Sequence, residues 1–120
     1  MRIPYPNRRD RSRIRGLLRD AYALEDAKLV RTAMAEVARF YHLKPPRVAF
    51  VDKPEVMRHA LGACHPDGRI VLVHPGRWAL KRTCNTVAEW VNVALHELGH
   101  YVLWADAERK ADAFATAMES

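Results

Sequence analysis

The chain has only two cysteines, Cys64 and Cys84, twenty positions apart and forming no CxxC pair. They read as reduced, small buried residues, and nothing in their spacing supports a disulfide. No apolar run approaches the ~20 residues that cross a bilayer, so no membrane partner is expected. The first arginines are followed by no apolar segment of the secretory type, which points to a cytoplasmic location. Internal repeats and low-complexity linkers are also missing. What remains is 120 residues, 49% hydrophobic and 28% charged. That is the makeup of one ordinary globular domain, 1–120, whose core needs no staples.

Charge of one sign is concentrated at the start. Residues 1–20 carry seven arginines (Arg2, Arg8, Arg9, Arg11, Arg13, Arg15, Arg19) against Asp10 and Asp20, a balance of +5 out of the formal +6. A basic N-terminal arm of this kind can bind nucleic acid or another acidic surface. Ile14, Leu17 and Leu18 nevertheless fall at helical spacing, which makes the arginines the solvated side of a helix. No aromatic residues interleave with them to stack on bases, so nucleic acid is a secondary expectation.

The middle of the chain supplies an architecture. Ala23, Ala27, Val30, Ala33, Met34, Val37 and Tyr41 share one face of an amphipathic helix over 23–42, ended by Pro45-Pro46. Residues 47–52 read as a short strand. Residues 61–64 and 69–74 flank His65-Pro66-Asp67-Gly68 as the arms of a hairpin. The plan is α+β: helices, a small three-stranded sheet, and two further helices.

The first of those helices carries the most informative residues. Val87, Trp90, Val91, Ala94, Leu95, Leu98 and Val102 form an apolar face, and Thr86 and Glu89 have capping-box spacing just before it. Inside that run stands His96-Glu97-Leu98-Gly99-His100, an HExxH pattern. Histidines four apart on a helix differ by ~40° of rotation and about 6 Å of rise, so both imidazoles reach one metal ion. Glu97 lies beside a ligand, where its carboxylate can take a proton from water activated by the metal. Gly99 weakens a helix interior by roughly 1 kcal/mol, which suggests that something packs closely between the histidines.

A catalytic zinc keeps three protein ligands and one open position. After a break at Trp104-Ala105, Asp106 is a natural N-cap, and Ala107, Ala111, Phe114, Ala115 and Met118 form an apolar stripe. A second helix folding back brings its first turn toward the histidines. Glu108 in that turn is the expected third ligand. Asp112, on the same face, is the expected carboxylate behind a ligating histidine, fixing its tautomer. Plainer alternatives exist: Glu108 as a solvated first-turn acid, Asp112 as surface charge, and Asp106 as a substitute ligand.

HELGH followed by E-R-K-A-D-A-F-A resembles the gluzincin metallopeptidases, whose HExxH is followed by an ExxxD or ExxAD segment on the next helix. The match covers residues 86–118, and the small size resembles the minimal minigluzincins. The resemblance implies a zincin-like fold with zinc on His96, His100 and Glu108, Glu97 as general base and Asp112 in support. It departs in two ways: only seven residues separate His100 from Glu108, and no substrate-binding subdomain follows.

In that family an edge strand beside the metal pairs with an extended peptide, so one arm of 61–74 is the candidate. The expected function is zinc-dependent peptide hydrolysis on a peptide or protein substrate in extended conformation. The alternatives are a non-catalytic or latent zinc-binding regulatory protein, and a nucleic-acid-associated protease that uses the basic arm. His74 reads first as a capping or surface histidine, with oxyanion stabilisation as the alternative, and Cys64-His65 is a candidate ligand or inhibitory thiolate. His42, His59 and His65 have no spacing that recommends them.

Overall fold

A computed structural model describes residues 3–51, 62–74, 86–104 and 108–120. Their order is α1 (Arg8–Leu24), α2 (Ala27–Phe40), β1 (Arg47–Val51), β2 (Gly62–Cys64), β3 (Arg69–Val73), α3 (Val87–Leu103) and α4 (Glu108–Met118). This is a small α+β fold. No helix among the described residues is long and apolar enough to cross a membrane.

The arginine-rich start is a helix. Ile14, Leu18 and Ala21 turn its apolar side inward, as their spacing requires. Several arginines have internal partners. Arg15 Nη1 donates to the carbonyls of Met118 (2.9 Å) and Ser120 (3.1 Å), and Arg11 Nε reaches Ser120 at 3.3 Å. These contacts satisfy carbonyls in and just beyond the last turn of α4, where positive charge also meets the negative end of the helix dipole. Arg13 pairs with Glu36 of α2 at 3.2 Å.

The helix expected over 23–42 needs correcting at its start. Glu25 adopts a left-handed φ of 52°, and Asp26 then caps α2 by accepting the Lys28 N–H at 2.9 Å. Ala23 therefore belongs to α1 and is exposed. Ala23 extends the apolar spacing across the corner only by coincidence of sequence, since it is exposed while Val30, Ala33, Met34 and Val37 of α2 are buried. Asp26 is the stop signal that the periodicity hides.

β3 lies at the centre of the sheet, parallel to β1 and antiparallel to β2. The β2–β3 hairpin turns where the sequence indicates. The Gly68 N–H donates to the His65 carbonyl (2.9 Å) and the His65 N–H to the Arg69 carbonyl (2.8 Å). Gly68 has φ 89°, and a Cβ there would stand 3.1 Å from the Tyr101 ring, so both backbone and space demand glycine. Asp67 accepts the Arg69 N–H at 3.0 Å, which with the arginines nearby holds its carboxyl below the usual range. The outer ends of the expected strands, Asp52 and Leu61, lie outside the described residues.

α3 starts where expected, with Thr86 accepting the Glu89 N–H at 3.1 Å. It packs across β3 and β2. Trp90 is fully buried and donates its indole N–H to the Val73 carbonyl at 3.3 Å, and Leu95 and Leu98 close the core beneath. α4 folds back onto α3 and buries Ala111, Phe114, Ala115 and Met118, the stripe read from the sequence.

Candidate metal centre

The two histidines of HExxH lie on one face of α3, ring centroids 4.9 Å apart. Each side chain is nearly covered, 13% and 12% exposed. From α4, Glu108 presents one carboxylate oxygen to His96 Nε2 at 2.7 Å and the other to His100 Nε2 at 3.2 Å. Asp112, one turn on, lies 2.8 Å from His96 Nδ1.

Both ring nitrogens of His96 face carboxylate oxygens, which only accept when ionised. A metal on Nε2 would leave the ring hydrogen on Nδ1, donated to Asp112. That is the arrangement in which a second carboxylate sets the tautomer of a ligating imidazole.

Gly99 makes the approach of α4 possible. A Cβ there would lie 3.0 Å from Phe114 Cβ and 3.2 Å from the Ala111 Cα. The close packing suggested by a glycine between the histidines is thus α4 itself. It sets Ala111, and with it Asp112, against the helix one residue from His100.

Glu97 lies on the adjoining face of α3, against β2. It is 8% exposed, the one charged residue in the core among the described residues. Its carboxylate accepts the backbone N–H of Cys64, and its Cγ would be 3.0 Å from a Cβ at Gly62. Burial pushes its carboxyl above the usual range, opposed by the neighbouring His96 and His100. Gly62 and the Cys64 amide therefore hold Glu97, roles that no sequence motif announces. A glycine at a strand start is the only trace in the chain.

The donor set suits zinc. Two imidazole nitrogens and one carboxylate, all within 4.8 Å of one another, match in number and type the three protein ligands of a tetrahedral zinc site. Bonds of about 2.0–2.1 Å at tetrahedral angles place neighbouring donors roughly 3.3 Å apart. One Glu108 oxygen, 3.2 Å from His100 Nε2, meets that spacing, and the other lies 2.7 Å from His96 Nε2.

The other candidates fare differently. Asp106 lies outside the described residues, as do His59 and Cys84. Cys64 and His65 are not part of the donor group. They line an open cleft next to His100, and no spacing signal marked His65 for that place. His74 is half-buried between the Phe50 ring (6.0 Å) and Glu25 (4.0 Å). It follows Val73, which meets α3 at Trp90, seven residues and about 10 Å of helix before Glu97. His74 is thus a half-buried histidine at the end of the sheet, closer to the plain reading than to the alternative oxyanion role. No known family model, curated protein or solved structure matches this chain.

Proposed function

We propose that the chain is a zinc-dependent metallopeptidase of minimal, zincin-like build, with His96, His100 and Glu108 as ligands. The observation that carries this is the convergence of His96 Nε2, His100 Nε2 and both Glu108 oxygens, with buried Glu97 on the adjoining face. Zinc held there would supply Lewis-acid polarisation of a carbonyl and a lowered pKa for its water.

The chain's own groups do the rest. In hydrolysis a water oxygen bonds to the peptide carbonyl carbon and the C–N bond breaks. Glu97 takes the water's proton and passes it to the leaving nitrogen. Burial raises its proton affinity, which suits the delivery half of that exchange, while the imidazoles restrain the rise.

β2 is the substrate platform in this reading. It is an edge strand of the described sheet, and β3 is excluded because it is paired on both sides. The His65 N–H goes to Arg69, so alternation along the strand turns the Gly62 and Cys64 backbone groups outward. An extended peptide can pair with what Glu97 leaves of that edge.

The test is metal content and peptide cleavage on wild-type and Glu97→Gln protein. One zinc per chain in both, with cleavage reduced by at least ~100-fold in the variant, is the expected result. Zinc in both with no cleavage by either would make this a non-catalytic zinc protein. Wild-type cleavage by Glu97→Gln would remove the general-base assignment.

A further inference from the structure

Beyond His100, the molecule carries an open cleft of about 160 Å³. Cys64, His65, Pro66 and Gly68 form one wall; His100, Tyr101 and Trp104 form the other. A cavity of about 150 Å³ suffices to hold benzene when enclosed by apolar groups; this cleft is open, and the imidazoles of His65 and His100 bring polar atoms to its walls. Among the described residues no lysine, arginine, aspartate or glutamate lines it. The nearby carboxylate, Asp67, faces Arg47 at 3.3 Å and the Arg69 amide instead. The Tyr101 hydroxyl donates to the Lys44 carbonyl, so only its ring is offered to the cleft.

Trp104 makes the cleft distinctive. It is 64% exposed, an unusual state for the largest side chain, and it ends α3 at φ 50°. A helix end in that conformation favours glycine, and an indole held there in water gains little from the fold. Its ring lies 5.7 Å from that of Tyr101, extending the aromatic wall to the rim.

The cleft is also well placed. β2 ends at Cys64, where the cleft begins, and alternate side chains of a strand laid along β2 point to one face. We infer that the cleft takes one side chain of an extended peptide, an aromatic or leucine-sized apolar one, and that Tyr101 and Trp104 set this preference. The inference rests on the hydrolase reading for its purpose, though not for its geometry.

Two measurements separate the inference from that reading. The first is a nuclear magnetic resonance titration of full-length Glu97→Gln protein with the N-acetyl amides of phenylalanine, leucine, alanine and lysine. Phenylalanine and leucine amides are expected to move the Trp104 indole and Tyr101 ring signals, while alanine and lysine amides do not. Trp104→Ala weakens phenylalanine binding by about tenfold, and Trp104→Phe restores most of it. Because Trp104 is exposed, both variants keep the fold. Equal shifts from all four amides, no shift from any, or full binding by Trp104→Ala overturns the inference.

The second is digestion of a mixed peptide pool by the wild type. Apolar residues flanking the cut sites support the subsite; cuts without such preference overturn it and leave the hydrolase reading intact. Selective binding with no cut peptide leaves the cleft assignment standing and removes the hydrolase reading.

Discussion

The two helical corners of this molecule are built alike and used differently. α1 and α3 are both 17 residues long, and each ends on a non-glycine residue in the left-handed region, Glu25 at φ 52° and Trp104 at φ 50°. The first corner folds α2 against α1 through Ile14, Leu18, Val30 and Val37, with charge kept outside. The second folds α4 against α3 and brings two imidazoles and two carboxylates together above the core, with a third carboxylate inside it. One corner stabilises. The other sets a carboxylate inside the core, where desolvation costs free energy that the nearby imidazoles and the Cys64 amide oppose.

Glycine to alanine in each lead helix separates the two most sharply. A Cβ at Gly16 of α1 would meet nothing within 4 Å, so Gly16→Ala is expected to stabilise by up to about 1 kcal/mol through helix propensity. At Gly99 the same methyl group presses on the Ala111 backbone at 3.2 Å. Overpacking costs about 1–3 kcal/mol, which outweighs the propensity gain, and α4 must shift with Glu108 and Asp112 on it. Gly99→Ala is therefore expected to lower both thermal stability and zinc affinity. Equal stabilisation by both substitutions, measured by denaturant unfolding, would dissolve the distinction between the corners.

A finer cut is Asp112→Asn. The amide keeps the shape and loses the charge that orients His96 through Nδ1, 2.8 Å away. Zinc affinity is expected to fall by about 10–100-fold, with stability of the chelated protein hardly changed because Asp112 is largely exposed. Competition with a chromophoric chelator reads it directly. Unchanged affinity would return Asp112 to the role of surface charge.

The corner residues give a smaller pair of effects. Glu25→Gly removes a left-handed strain of about 1 kcal/mol and only a weak contact with His74, so the protein gains stability. Trp104→Gly removes the same strain but also the ring contact with Tyr101, worth about 0.5–1.5 kcal/mol, and nets close to zero. Thermal midpoints in the two variants check this. A large loss in Trp104→Gly would mean that the indole serves the fold rather than the cleft.

Much of this contrast is legible in the sequence, and its limits are physical. HExxH and the acids at 108 and 112 announce the second corner because helical spacing converts sequence offset directly into shared faces. Thr86 and the Asp67-Gly68 turn are readable for the same local reason. The break at Glu25–Asp26 is hidden because apolar periodicity continues through it. The hold of Gly62 and the Cys64 amide on Glu97, and the place of His65 beside His100, depend on how β2 lies against α3. That is a contact across more than thirty residues, which no spacing rule encodes.

The smallest effect concerns Glu97 with the metal stripped by chelator. Burial holds its carboxyl above the usual range despite His96 and His100. The folded state therefore keeps this proton at a pH where the unfolded chain has released it. The stability gained from the neutral form is complete below the ordinary carboxylate pKa and is lost as pH rises through the folded value. Above the folded value the chelated wild type carries a buried carboxylate, whereas the Glu97→Gln variant carries a neutral amide there whose oxygen still accepts the Cys64 N–H. Glu97→Gln is thus expected to melt higher than wild type above that value in chelator, and the gap should close as pH falls below the carboxylate range. The opposite order above the folded value would mean that the two imidazoles and the Cys64 amide outweigh burial. The second corner would then stabilise the fold even without metal.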